Sequence, residues 1–133
     1  MTKNTNPVPE GFHTVTPYLV VPAVPKLIDF LKQAFDAQEL QRHPRPDGTV
    51  QHAEVRIGDS IIMMGEPQPP QKSIPAMILL YVADPDALYQ RALKAGATSL
   101  REPADQPYGD RIGGVEDPTG NQWWVAKRLA KAD

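Results

Sequence analysis

One apolar pattern occurs twice along this chain, about 60 residues apart, and each copy has the order β-α-β-β-β. In the first copy TVTPYLVV (residues 14–21) is β-branched and apolar, which predicts a strand. Pro25 offers a rigid first helical turn, and Leu27, Ile28, Leu31, Ala34 and Phe35 follow at helical spacing, so an amphipathic helix is expected from Pro25 to Asp36. QELQRH reads as a short strand and PRPDG as a turn. TVQHAEVRI then alternates with period 2, and Ser60 to Met64 follows a tight Gly-Asp turn as the second arm of a hairpin.

The grammar restarts at AMILLYV, Ala76 to Val82. Asp84 is a helix N-cap, Pro85 suits the first turn, and Leu88, Tyr89, Ala92 and Leu93 supply the buried stripe. Gly96 ends that helix, TSLREP is the next strand, and YGDRIGGVEDPTGNQWWVAK forms the last two strands around a D-P-T-G-N turn. The copies even share wording: LVVPAVPKL against LYVADPDAL, then FDAQEL against AGATSL. A β-α-β-β-β unit covers one face of its sheet with its helix and leaves the other open. Two such modules predict an α+β fold, a curved half-barrel sheet around a central cleft sized for a small ligand. The expected divisions are a flexible leader over 1–12 and a single domain over 13–127. Within that domain the first module spans about 14–66, a Pro-rich link 67–75 and the second module about 76–127, with a tail over 128–133.

Composition narrows the function. The 133 residues suffice for one domain with a substantial core. A net charge of -2 without a basic run gives no reason to expect nucleic acid or an anionic membrane as partner. The absence of cysteine excludes disulfides, thiolate metal sites and a thiol nucleophile. The polar, proline-containing start has no signal-peptide pattern and no apolar run approaches a membrane span, so the expected location is the cytoplasm.

VTPYLVV followed by IDFLKQAFDA, then DGTVQHAEVRIGDSIIMM and YGDRIGGVEDPTGNQWW, resemble the vicinal-oxygen-chelate superfamily, which includes glyoxalase I, bleomycin- and fosfomycin-resistance proteins and extradiol dioxygenases. The wording is most similar to the PhnB-like branch, and the resemblance covers about Val15 to Lys127, nearly the whole chain. In the metal-dependent members, His and Glu from the first and fourth strands of each module hold a divalent ion that polarises the substrate's oxygens. The resemblance carries those positions onto Thr16, Met63 (with Ile62 one register away), Met77 and Trp124. A thioether, an indole and a threonine hydroxyl are poor ligands for Ni, Zn, Mn or Fe(II), so neither metal nor other cofactor is expected.

Other residues offer chemistry. His52, Glu54 and Arg56 share the strand face opposite Ala53, Val55 and Ile57. If that face lines the cleft, His52 and Glu54 form a general acid–base pair or part of an alternative metal site; otherwise they belong to a solvated charge ladder. His13 and His43 are read as solvated, in the leader and a turn. Arg111, beside Asp110 in a glycine-rich phrase, either reaches an anionic ligand or forms an ion pair fixing the loop. Met63, Met77, Tyr18, Tyr81 and Trp124 are ordinary core or an adaptable apolar pocket; Trp124 is expected in the cleft, with Trp123 facing the helix.

The leading expectation is a PhnB-like protein binding a small organic molecule in an apolar cleft without a metal, with Thr16, Tyr18, Met63, Met77, Tyr81, Arg111 and Trp124 lining it. Members that the chain resembles commonly pair, and a symmetric pair covers sheet edges, so a homodimer is expected. The alternatives are a glyoxalase-like metal-dependent lyase, isomerase or dioxygenase using His52 and Glu54, and a bleomycin-type protein that sequesters an antibiotic.

Overall fold

A computed structural model describes residues 6–129. The first five residues of the expected leader and the last four of the expected tail lie outside the described residues. The elements run β1 (Tyr18–Val20), α1 (Val24–Phe35), β2 (Gln38–Pro44), β3 (Val50–Ile57), β4 (Ser60–Gly65), β5 (Met77–Tyr81), α2 (Pro85–Lys94), β6 (Thr98–Asp105), β7 (Asp110–Glu116) and β8 (Gln122–Arg128). They form two four-stranded sheets of equivalent topology, β1-β4-β3-β2 and β5-β8-β7-β6. In each, the first strand pairs in parallel with the fourth, and the remaining pairings are antiparallel. This is the tandem βαβββ architecture that the repeat predicts.

β1 is shorter than the apolar run ahead of it. Pro17 and Pro22 have no amide hydrogen to give a ladder, and pairing is confined to Tyr18–Val20. Thr16 therefore precedes the strand, its hydroxyl donating to the His13 carbonyl at 3.2 Å.

Seven of the twelve α1 residues are buried, including Leu27, Ile28 and Leu31. Fully burying one such side chain contributes about 1.5–3 kcal/mol, so α1 anchors the core. Beneath it lie Ala53, Val55 and Met64 of the first sheet, and its Phe35 ring stands 5.7 Å from that of Trp123 in the second. One core thus spans both modules. α2 starts as read, with the Asp84 carboxylate accepting from the Ala87 amide at 3.1 Å, and Gly96 follows its end at φ 110°.

Two further links join the modules. Arg91 of α2 donates to both carboxylate oxygens of Asp36 at 2.7 and 2.9 Å and to the Gln33 carbonyl, at the C-terminal end of α1. Ile74 in the link donates to the Val20 carbonyl at 2.9 Å, laying the approach to β5 against the edge of β1. No described helix is long and apolar enough to cross a membrane.

Candidate functional site

Alternation decides which side chains reach the open faces. On β3, Ala53, Val55 and Ile57 are buried toward the helix, and His52, Glu54 and Arg56 stand on the other face. Met63 is paired with both Tyr18 and Glu54, which gives the open face of the first sheet a row of Tyr18, Met63 and Glu54. Ile62, the other register, is buried in the core.

This row carries a hydrogen-bonded chain. His52 Nε2 lies 2.9 Å from Glu54 Oε2, and His52 Nδ1 lies 3.3 Å from the Tyr18 hydroxyl. Glu54 is only 8% exposed, whereas Tyr18 is 48% exposed. Gly65 makes room for the tyrosine, since a Cβ there would stand 2.9 Å from its hydroxyl oxygen. His43, read above as a turn residue, lies on β2 directly opposite His52, with ring centroids 6.1 Å apart, and its Nε2 is 2.8 Å from Gln41 Oε1. Only the strand register reveals that neighbour.

The open face of the second sheet has a different character. Met77, Leu79 and Tyr81 alternate outward along β5, 67%, 41% and 59% exposed. Leu79 pairs with Trp124, and Trp124 with Gly114 on its other side. A Cβ on Gly114 would come within 2.5 Å of the Trp124 ring, so the indole lies directly over the glycine. Its Nε1 donates to Gln122 Oε1 at 3.1 Å. Trp123 faces the helices with no exposure, and its Nε1 donates to Asp117 Oδ2 at 2.6 Å.

The D-P-T-G-N turn is thereby explained as a fastening. Asp117 also accepts from the Thr119 amide and hydroxyl, and Asn121 Oδ1 accepts from the Ala76 amide at 3.0 Å, tying the turn to the start of β5.

Arg111 and Asp110 do not pair with each other, because neighbours on a strand point to opposite faces. Arg111 binds both oxygens of Asp86 at the start of α2 (2.7 and 2.8 Å) and Asp105 at 3.1 Å. The two carboxylates raise its pKa further, Asp86 most, and Arg111 in turn holds the Asp86 carboxyl below its usual value. Asp110 accepts instead from Arg128 and from the Tyr81 hydroxyl (3.0 Å), and the Arg128 guanidinium holds its carboxyl below the ordinary range. This cluster of three strands had no signal in the sequence, since its members are distant along the chain.

A groove of about 810 Å³ runs between the modules, lined among others by Phe35, Arg56, Ile57, Leu79, Tyr81 and Leu88. It touches the open face of the first sheet at Arg56 and that of the second at Leu79 and Tyr81. Tyr18, His52, Met63 and Trp124 are outside its walls. The groove alone is therefore not the whole candidate site, and the open faces carry the chemistry.

Residues 11–125 match the Glyoxalase/Bleomycin resistance protein/Dioxygenase superfamily. The chain belongs to that superfamily. An uncharacterized protein of Mycobacterium bovis is 43% identical over 130 residues, covering 90% of this chain and 86% of its own length. Among solved structures, TioX from Micromonospora sp. ML1 superposes with a TM-score of 0.71 at 23% identity, covering 91% of this chain and 100% of TioX. TnmS3, an antibiotic binding protein from a Streptomyces species, gives a TM-score of 0.70 at 21% identity, covering 87% and 95%.

The residues that the sequence resemblance puts at metal positions, Thr16, Met63, Met77 and Trp124, are unsuitable donors. The Met63 and Met77 thioethers are neutral and soft, the Trp124 indole nitrogen has no free lone pair, and the Thr16 hydroxyl is a weak neutral ligand ahead of β1. The alternative pair fares little better: His52 Nε2 and Glu54 Oε2 bind each other, and among the described residues no three His, Cys, Asp or Glu side chains gather as a metal-holding group.

Proposed function

We propose that this protein, of the PhnB-like branch and cytoplasmic, binds a small organic molecule against the open face of its second sheet and does so without a divalent metal. The observation carrying this reading is the row Met77, Leu79, Tyr81 and Trp124. These are large apolar side chains on one face, around an indole seated on Gly114. Methionine and aromatic side chains on an open face offer adaptable packing and a stacking surface for a flat ligand. The poor donor set at the superfamily's metal positions supports the metal-free part. Antibiotic binding is a use to which a protein of the same fold is put, and holding a ligand needs no metal.

The protein acts as a homodimer in this reading. The outer strands β2 and β6 are mostly exposed and have a strand neighbour on one side only among the described residues, and a symmetric pair covers such an edge. Sedimentation equilibrium at micromolar concentration gives the dimer mass if this holds.

The binding reading is tested with anilinonaphthalene sulfonate as probe. Saturable fluorescence enhancement is expected at one probe per chain, lost in Trp124→Ala and in Leu79→Asp. Enhancement that does not saturate, or is equal in both variants, overturns it.

A further inference from the structure

We propose that Tyr18, His52 and Glu54 form a proton relay that takes up the acidic hydroxyl of a phenolic or enolic ligand and holds that ligand as its anion. The proposal rests on the binding reading above only for the protein's holding a small organic ligand; it places the ligand's hydroxyl at the open face of the first sheet and adds its chemical class.

The geometry orders the three groups from buried to exposed. Glu54 is buried and, among the described residues, has one side-chain partner, His52 Nε2 at 2.9 Å. A buried carboxylate with a single partner needs the charge-assisted hydrogen bond that partner provides. A neutral imidazole donating from Nε2 carries its lone pair on Nδ1, and Nδ1 faces the Tyr18 hydroxyl at 3.3 Å. The Tyr18 O–H is then directed inward and its oxygen lone pairs outward, to the open face where nearly half of the side chain is exposed. An outward acceptor selects a ligand that donates. Other polar groups on this face are His43 opposite His52, Gln41 opposite Glu54, Gln38 opposite Arg56, and Arg56 itself two positions along β3, whose positive charge favours an anion nearby.

The step balances without a co-reactant. The ligand O–H gives its proton to the Tyr18 oxygen as the Tyr18 O–H gives its own to His52 Nδ1. The ligand becomes an anion, Tyr18 stays neutral, and the new imidazolium faces the Glu54 carboxylate. No proton leaves the protein–ligand complex. Carboxylate-to-imidazole support of this kind stabilises the charged imidazole when it forms.

The test uses 4-nitrophenol, whose phenolate absorbs separately from its phenol, with binding followed independently by calorimetry. At a pH below the probe's own pKa, binding to the intact protein is expected to raise the phenolate-to-phenol ratio about tenfold, one unit of ligand pKa. Binding heats should be equal in buffers of different ionisation enthalpy, because the proton passes to His52 rather than to solvent. Tyr18→Phe and Glu54→Gln, which keep ring and shape, should retain the fold by circular dichroism and lose the phenolate signal. Binding with no phenolate gain, or with a proton released to buffer, overturns the relay and leaves the binding reading standing. Phenolate gain that persists in both variants also overturns it, as does failure of the intact protein to bind 4-nitrophenol; the anilinonaphthalene sulfonate titration decides the binding reading separately.

Discussion

The indole of Trp124 rests on Gly114 across the β7–β8 ladder, so closely that a Cβ on the glycine would lie 2.5–2.6 Å from three ring carbons. No real Cβ tolerates that approach. The tryptophan keeps its place on the open face because the residue opposite has no side chain.

Gly114→Ala should therefore displace the ring. The expected cost is about 1–3 kcal/mol of stability, as for other overpacked sites, together with loss of anilinonaphthalene sulfonate binding. Urea unfolding and the probe titration measure the two effects on one sample. An unchanged titration would show that the placement of the ring is immaterial.

The adjacent tryptophans should answer differently to substitution. Trp123→Phe removes the Nε1 bond to the buried Asp117 carboxylate, and a lost hydrogen bond to a charged group costs about 1–3 kcal/mol. Trp124→Ala removes a partly buried ring that makes no bond to Asp117, and is expected to abolish probe binding. Urea midpoints for the two variants, compared with their probe affinities, separate the roles.

Arg111→Met tests a placement. The guanidinium is occupied by Asp86 and Asp105 on the helix side of the sheet, and all three groups are substantially exposed. Such pairs contribute at most about 1 kcal/mol. A small loss of thermal stability with unchanged probe affinity is expected, and a marked affinity loss would return Arg111 to the ligand site.

Acid should weaken the protein through three aspartates. Asp36, Asp86 and Asp110 are each held below the ordinary aspartate value of 3.8, by Arg91, Arg111 and Arg128 respectively. A carboxyl with a lowered folded pKa contributes its stability in full above the unfolded value. That contribution is lost as pH falls through the folded value. Urea midpoints should thus be flat near neutrality and drop below about pH 4. Asp36→Asn should lower the neutral midpoint and flatten that drop, since it removes the link between α1 and Arg91.

Metal retention divides the binder from the superfamily's metal enzymes. After loading with Ni, Zn, Mn or Fe(II) and dialysis, less than about one-tenth of an ion per chain is expected, given the donor set. A stoichiometric ion lost in His52→Ala and Glu54→Ala would establish the rival reading.

The repeat, the order of elements and the two faces of β3 were legible because periodicity reflects only which side of a helix or strand is dry, whereas Arg111, expected in the cleft, lies on the helix side with Asp86. Ala53, Val55 and Ile57 against His52, Glu54 and Arg56 is that rule at work, and the caps at Asp84 and Gly96 are equally local. β1 is shorter than the run over 14–21 because Pro17 and Pro22, which bound it, have no amide hydrogen to donate, although the Pro17 carbonyl still accepts from the Met63 amide. The partners of Arg111, Asp110 and His52 were illegible for another reason. Asp86 is 25 residues from Arg111, Arg128 is 18 from Asp110, and Tyr18 is 34 from His52.

By itself, then, the sequence determined the two modules, their buried stripes and the unsuitability of Thr16, Met63, Met77 and Trp124 as metal ligands. Those properties follow from residue type and spacing along one element. Only the tertiary structure decided that His43 faces His52, that Tyr18 closes a chain running to Glu54, and that Trp124 lies on Gly114. Strand register sets these contacts, and register emerges only when separate elements pack around one core.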